Sequence, residues 1–200
     1  MFYKKEKQSE SAVKKSVTRE WVESIIIAAV LALFVRTFFF EPYKIPTSSM
    51  VPTLMPGDKI FVTKTLYGPR IPVLAWRLPG KARPERGEVI VFVSPAEKKK
   101  CYIKRVIGLP GEEVEIRKGG IYINGQAVTD PKISKKFYYN VGDYGEEGKS
   151  IKVPQDSYFV LGDNSASSRD SRYWGFVPWK SVVGKALFIW WPPKRVRNIN

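Results

Sequence analysis

The sequence predicts a mostly β protein, with antiparallel sheets following one N-terminal transmembrane helix. Three observations carry this expectation. Runs of three to nine residues rich in β-branched and aromatic side chains recur between residues 59 and 190. Fifteen glycines and fifteen prolines interrupt the 200-residue chain between those runs, a pattern that suits tight turns better than a helix bundle. One long apolar stretch lies before residue 41, and it has the length of a bilayer span.

In chain order, residues 1–20 are expected as a basic N-terminal segment, 21–40 as the transmembrane anchor and 41–200 as the β-rich domain. Trp21 to Phe40 spans about 30 Å as a helix at ~1.5 Å per residue, with Glu23 and Arg36 near the interfaces. Trp21 and Phe38-Phe39-Phe40 have the character of an aromatic belt, and an arginine near a helix end can snorkel. The chain then runs into Phe-Phe-Phe-Glu-Pro-Tyr with no small-residue cleavage site, so an uncleaved anchor is expected rather than a removable leader. Lys14, Lys15 and Arg19 precede the span. Positive charge on that side predicts a cytoplasmic N-terminus, with residues 41–200 outside the cytoplasmic membrane.

Beyond Pro42 the expected strands are Lys59 to Val62, Glu88 to Val93, Tyr102 to Ile107, Glu113 to Ile116, Ile121 to Ile123, Tyr158 to Leu161 and Val182 to Trp190. Each is bounded by Gly, Pro, Asp or Asn. Asn124-Gly125 directly after Ile121-Tyr122-Ile123 predicts a hairpin turn, because both residues tolerate positive φ. Residues 64–87, rich in Pro and Arg, read as an extended ribbon or loop, and 129–150, rich in Tyr, Gly and Lys, as a mobile excursion.

Composition narrows the chemistry. The formal charge is +15, and removing residues 1–20 still leaves 28 bases against 16 acids. That surplus suits nucleic acid, anionic lipid or acidic partners; solvated or lipid-facing charge is favoured because no nucleic-acid signature accompanies it, so no nucleic-acid partner is expected. The single cysteine, Cys101, rules out an intrachain disulfide, and the absence of histidine removes Cys/His zinc sites. No metal or cofactor is expected.

The absence of histidine also governs how Pro46-Thr47-Ser48-Ser49-Met50-Val51-Pro52-Thr53-Leu54 is read. A serine in a small-residue turn between prolines is a candidate nucleophile, but a hydroxyl needs a base, and the usual imidazole does not exist here. The base must be a carboxylate or a lysine. The best lysine is Lys104 in Tyr102-Ile103-Lys104-Arg105-Val106-Ile107-Gly108-Leu109-Pro110-Gly111, whose neighbours are mostly apolar, as desolvating an ammonium requires. On a strand Tyr102, Lys104 and Val106 share a face while Arg105 points away, which keeps a second charge off the amine. A lysine base poised near pH ~8 must fall by roughly two to three pH units from its usual ~10.4.

Four separated segments resemble the boxes of bacterial type I signal peptidases, the Ser/Lys-dyad serine proteases. Glu41-Pro42-Tyr43-Lys44-Ile45-Pro46-Thr47-Ser48-Ser49-Met50-Val51-Pro52-Thr53-Leu54 resembles that family's nucleophile box. Arg86-Gly87-Glu88-Val89-Ile90-Val91-Phe92 and Tyr102 to Glu112 are similar to the next two, the second carrying the lysine. Gly162-Asp163-Asn164 with Ser168-Arg169-Asp170-Ser171-Arg172 is similar to the last, and the preceding anchor fits as well. Two positions depart from the pattern. Ser165 stands where the Gly-Asp-Asn box usually has arginine, so a local salt bridge is expected to be missing, and Thr47 stands where serine is common.

The resemblance implies a membrane-bound serine endopeptidase that removes N-terminal signal peptides from exported pre-proteins after small residues. Its partners would be those pre-proteins and the lipid bilayer. It implies Ser49 as nucleophile, Lys104 as base, and an oxyanion hole made by the Thr47 hydroxyl with the Ser49 backbone N–H. Ser168 would orient the lysine, and Asp170 with Arg172 would brace the site from behind. Substrate would bind as an added strand, with Tyr43, Ile45, Met50, Tyr102 and Ile103 as pocket walls. Two other readings compete. A self-cleaving repressor protease of related Ser/Lys type needs an N-terminal helix-turn-helix, which residues 1–40 do not supply. A membrane-tethered basic β-domain that binds anionic lipid or nucleic acid without catalysis is the other.

Overall fold

The computed structural model describes residues 17–68, 70–71, 76–97 and 100–199. Most of the basic N-terminal segment (residues 1–16) and part of the ribbon (69 and 72–75) lie outside them. The chain divides into two compact units, Met1–Val35 and Arg36–Asn200.

Helix α1 runs Val17–Phe38, 22 residues with a mean hydropathy of 1.9 in its most apolar stretch. That is about 33 Å of helix, enough for the hydrocarbon core of a bilayer. It begins four residues before Trp21 because Thr18, Arg19 and Glu20 form a polar first turn, and Arg19 pairs with Glu23 at 2.9 Å. None of its residues is buried.

The second unit is built on an antiparallel sheet. Its principal strands are β1 (Phe40–Lys44), β2 (Lys59–Thr63), β3 (Val89–Val93), β4 (Cys101–Gly108), β5 (Glu113–Arg117), β6 (Gly120–Ile123), β7 (Ser157–Leu161) and β8 (Val182–Trp191). The eight-stranded sheet has the order β1-β2-β8-β3-β4-β7 and then the short strand Val177–Pro178, with Arg197–Asn198 pairing β8. A second sheet of four strands contains β5 and β6, flanked by Ile151–Lys152 and Gln126–Ala127. Every strand read from the sequence is present, with β1 and several two-residue strands in addition. The Asn124-Gly125 turn has positive φ at both residues (50° and 79°), as a two-residue hairpin connection requires. Arg70–Ile71 pairs with Trp76–Arg77 inside the 64–87 segment.

The central strands are covered on both faces. In β3, Val89 and Val91 pack into one cluster with Ile60, Val62 and Ile189, while Ile90 and Phe92 pack into another with Val106, Val160 and Val182. A third cluster joins Ile107, Phe159 and Leu161 to Val114, Ile116 and Ile121 of the smaller sheet. Each such side chain contributes about 1.5–3 kcal/mol by leaving water, so β3 and β4 are rigid supports for whatever side chains they carry.

Candidate active site

Ser49 lies in the turn that follows β1. The Ile45 N–H donates to Asp58 O and the Gly57 N–H to Ile45 O, both at 2.8 Å, which closes the intervening segment into a loop. Bonds from Val51 N–H to Ser48 O (3.1 Å) and from Leu54 N–H to Met50 O (2.9 Å) wind its centre into tight turns. Met50 and Leu54 are fully buried and fix the turn to the core.

The loop after β7 holds the turn from the other side. Asn164 donates its backbone N–H to Ser49 O (3.0 Å) and its side-chain amide to Ser48 O (3.2 Å), and the Thr53 hydroxyl donates to the Asp163 carboxylate. Gly162 makes this approach possible. A Cβ there would stand 2.1 Å from Ser168 Oγ and 2.6 Å from Ser49 O, so any side chain would push the loop off the serine.

Lys104 is in the middle of β4, opposite Ile90 of β3. Its Nζ is 2.7 Å from Ser49 Oγ across 55 residues of sequence, and it also donates to Ile103 O at 3.0 Å. Both side chains are shielded: Lys104 is 4% and Ser49 6% exposed. The Thr47 hydroxyl lies 3.4 Å from Ser49 Oγ. Tyr102 shares the Lys104 face, its ring centroid 5.9 Å from Nζ.

Burial is the main influence on the amine and pushes its pKa down to about 8. Asp170 and Asp163 pull it back up, and Arg172 lowers it again. Going from 10.5 to about 8 means that the fold disfavours the ammonium by roughly 3 kcal/mol relative to the free amine.

Two buried ion pairs stand behind the dyad. Arg172 holds Asp170 through Nε (2.8 Å) and Nη2 (2.9 Å), and neither side chain reaches solvent. Arg172 also donates to Ser165 Oγ (2.6 Å), Ser165 O (2.9 Å), Ser168 O (3.1 Å) and Tyr139 O (3.0 Å). Asp170 accepts from the Gly162 N–H at 2.9 Å, which ties the pair to the loop against the serine. On the opposite side of β4, Arg105 grips Asp163 with two bonds of 2.8 and 2.7 Å, so it does point away from Lys104.

The structure also says what the sequence did not. Ser165 leaves no gap where an arginine salt bridge was expected to be missing, because its hydroxyl accepts from Arg172 and from the Tyr139 N–H (2.9 Å). The 129–150 segment, read as an excursion, reaches the back of the site: besides these Tyr139 contacts, the Tyr144 N–H donates to Arg172 O at 3.0 Å. Ser168 Oγ is buried but has no hydrogen-bond partner, so the bond to Lys104 that the resemblance implies is not formed here.

A cavity of ≈ 510 Å³ opens over the dyad, lined by Thr47, Ser49, Tyr102, Ile103 and Lys104 among others. Of the expected pocket walls, Tyr102 and Ile103 are on it. Ile45 and Met50 lie beneath, in the core cluster against which Tyr43 and Ile103 also pack. Among the described residues, no cluster of Cys, Asp and Glu is arranged to hold a metal ion.

Comparison with known proteins points to one family. Residues 18–191 match the family described as signal peptidase, peptidase S26. The chain is 38% identical to the signal peptidase I of Bacillus licheniformis over 199 residues, which cover 96% of this chain and 98% of that protein. It is 36% identical to signal peptidase I T of Bacillus subtilis (strain 168) over 208 residues, 99% of each chain. It is 38% identical to a probable signal peptidase I-2 of Synechocystis sp. over 198 residues, covering 94% of this chain and 82% of that one.

Proposed function

We propose that this chain, which belongs to the signal peptidase (peptidase S26) family and is a serine peptidase, removes signal peptides from exported pre-proteins with Ser49 as nucleophile and neutral Lys104 as general base. One observation carries the assignment: a lysine amine shielded from water lies 2.7 Å from a shielded serine hydroxyl. A non-catalytic lipid-binding domain has no use for that arrangement, because it would gain more from a solvated, charged lysine.

The chemistry follows from the atoms. The Lys104 lone pair takes the Ser49 hydroxyl proton as Oγ bonds to the scissile carbonyl carbon, and the carbonyl oxygen becomes an oxyanion. The Ser49 backbone N–H and the Thr47 hydroxyl donate to it; one such donor is typically worth about 10²–10³ in rate. The Lys104 ammonium then gives its proton to the departing amine, the C–N bond breaks, and an acyl-enzyme remains. Water hydrolyses the ester with Lys104 again as base. Asp170, Asp163 and Arg172 act on the potential at Nζ, and the cavity walls supplied by Tyr102 and Ile103 select for small residues before the cleaved bond.

Pre-protein cleavage by the full chain in detergent tests this reading through its pH dependence. Only the neutral amine accepts a proton, so kcat/KM should rise with pH through a single ionisation near 8 and level off above it. Below that midpoint the rate falls about tenfold per pH unit. A rate that is flat from about pH 6 to 10 rules out a base that titrates near 8.

Topology belongs to the same proposal. With Lys14, Lys15 and Arg19 ahead of α1, the N-terminus faces the cytoplasm and residues 41–200 meet exported chains on the far side of the bacterial cytoplasmic membrane. Protease added to right-side-out spheroplasts should then degrade the large C-terminal part and spare the first twenty residues. A C-terminal part that becomes accessible only on lysis would invert the orientation.

A further inference from the structure

The cavity over Ser49 and Lys104 has a charged rim that the proposed chemistry does not use. Arg169 and Lys100 both line it, and both are exposed. They come from different loops. Arg169 lies between Ser168 and Asp170, which turn inward, so its own side chain turns outward over the cavity. Lys100 immediately precedes β4.

The two cations are not equivalent. Lys100 forms an ion pair with Glu97, and the Tyr102 hydroxyl donates to the same carboxylate. Those two hydrogen bonds, Lys100 first, hold the Glu97 carboxyl below the usual carboxylate range, and Arg169 adds to the effect only at longer range. Glu97 is therefore already satisfied. Among the described residues Arg169 makes no hydrogen bond or ion pair, and its planar donor fork remains available at the mouth of the catalytic cavity. One Glu against two bases also leaves this rim net positive.

We propose that Arg169 is a specificity-determining residue, selecting substrates that carry an acidic side chain beside the scissile bond. The inference rests on the catalytic reading above. It concerns which extended peptides are preferred, not whether cleavage occurs. An extended peptide over the dyad presents its unburied side chains to the rim, and a carboxylate there meets an unmatched guanidinium within the Debye length of about 10 Å at 0.1 M salt. Rim charges act mainly through encounter and weak binding, so the preference is expected to be modest and sensitive to salt.

The test uses the full chain in detergent and a matched peptide series spanning a signal-peptide cleavage site. Glu is compared with its isostere Gln, one position at a time, at the residue between the two small ones and at each of the two residues after the bond. At one of these positions kcat/KM for the Glu peptide should exceed that for the Gln peptide by about three- to fivefold at low salt, the size expected of an exposed ion pair. Arg169→Gln should remove the preference and Arg169→Glu should reverse it, whereas Lys100→Gln should leave it in place. Because each ratio is internal to one enzyme preparation, partial misfolding of a variant cancels. Equal cleavage of Glu and Gln peptides at all three positions by the wild type would overturn the inference. So would a ratio unchanged in both Arg169 variants, or one lost in Lys100→Gln and kept in Arg169→Gln. If the wild type cleaves neither the Glu nor the Gln peptides, the catalytic reading itself falls, a result distinct from cleavage without preference.

Discussion

Ser49→Ala and Lys104→Met should each lower pre-protein cleavage by about 10⁴-fold or more, and combining them should cost little further. In the proposed mechanism the two groups, 2.7 Å apart, act as one proton-transfer unit, so removing either half disables it. The stability readout separates this from misfolding. Ser49→Ala deletes one oxygen from a turn held by backbone bonds to Asn164, and its melting temperature should stay close to that of the wild type. Lys104→Met replaces a buried amine by a volume-matched apolar chain. Below pH 8 it removes the cost of burying an ammonium, so the melting temperature should hold or rise there. The sign is fixed by linkage: the folded pKa lies below the unfolded value, so the wild type gains stability as pH rises from about 8 towards 10.5. Cleavage within about tenfold of wild type in either folded variant would place the nucleophile or the base elsewhere.

The dyad was legible because its chemistry leaves few options. A chain without histidine that places a serine between prolines, and elsewhere a lysine in an apolar strand, has little else with which to activate a hydroxyl. The strands were legible for a similar reason, since β-branched runs between turn residues have few alternatives. What the sequence concealed depends on register and loop packing. Arg105 and Asp163 are 58 positions apart, and β4 must pair with β7 before they meet. Ser165 looked like a loss because a missing arginine is visible in the sequence, whereas a hydroxyl filling its place beside Arg172 is not. Residues 129–150 carry few apolar side chains in a periodic pattern, and the backbone groups of Tyr139 and Tyr144 that contact the site bear no signature of side-chain type. Ile45 and Met50 have the right character for pocket walls, but periodicity cannot tell a side chain that lines a cavity from one packed beneath it.

Arg172→Met should destabilise the protein by about 3–5 kcal/mol, because it leaves the Asp170 carboxylate buried without its cation. The loss extends past the ion pair, since the guanidinium also serves the carbonyls of Tyr139, Ser165 and Ser168. Arg172 joins the Tyr139 segment to the loop of residues 165–168, alongside the bond from the Tyr139 N–H to Ser165 Oγ, so the loop carrying Gly162 and Asn164 loses part of its backing. A second effect follows at Lys104. Asp170 favours the ammonium and Arg172 opposes it, so removing Arg172 alone must raise the lysine pKa, and residual activity should titrate above pH 8. Adding Asp170→Asn removes the stranded charge. The double variant should therefore recover part of the lost melting temperature and bring the pH midpoint back down. This reversal in both readouts distinguishes an electrostatic brace from mere packing, because a purely steric role would make the double variant no better than the single one. Thermal melts and pH–rate profiles of the three proteins decide the matter. A single variant as stable as the wild type, or a midpoint that does not move, would mean that Arg172 neither supports the loop nor acts on the base.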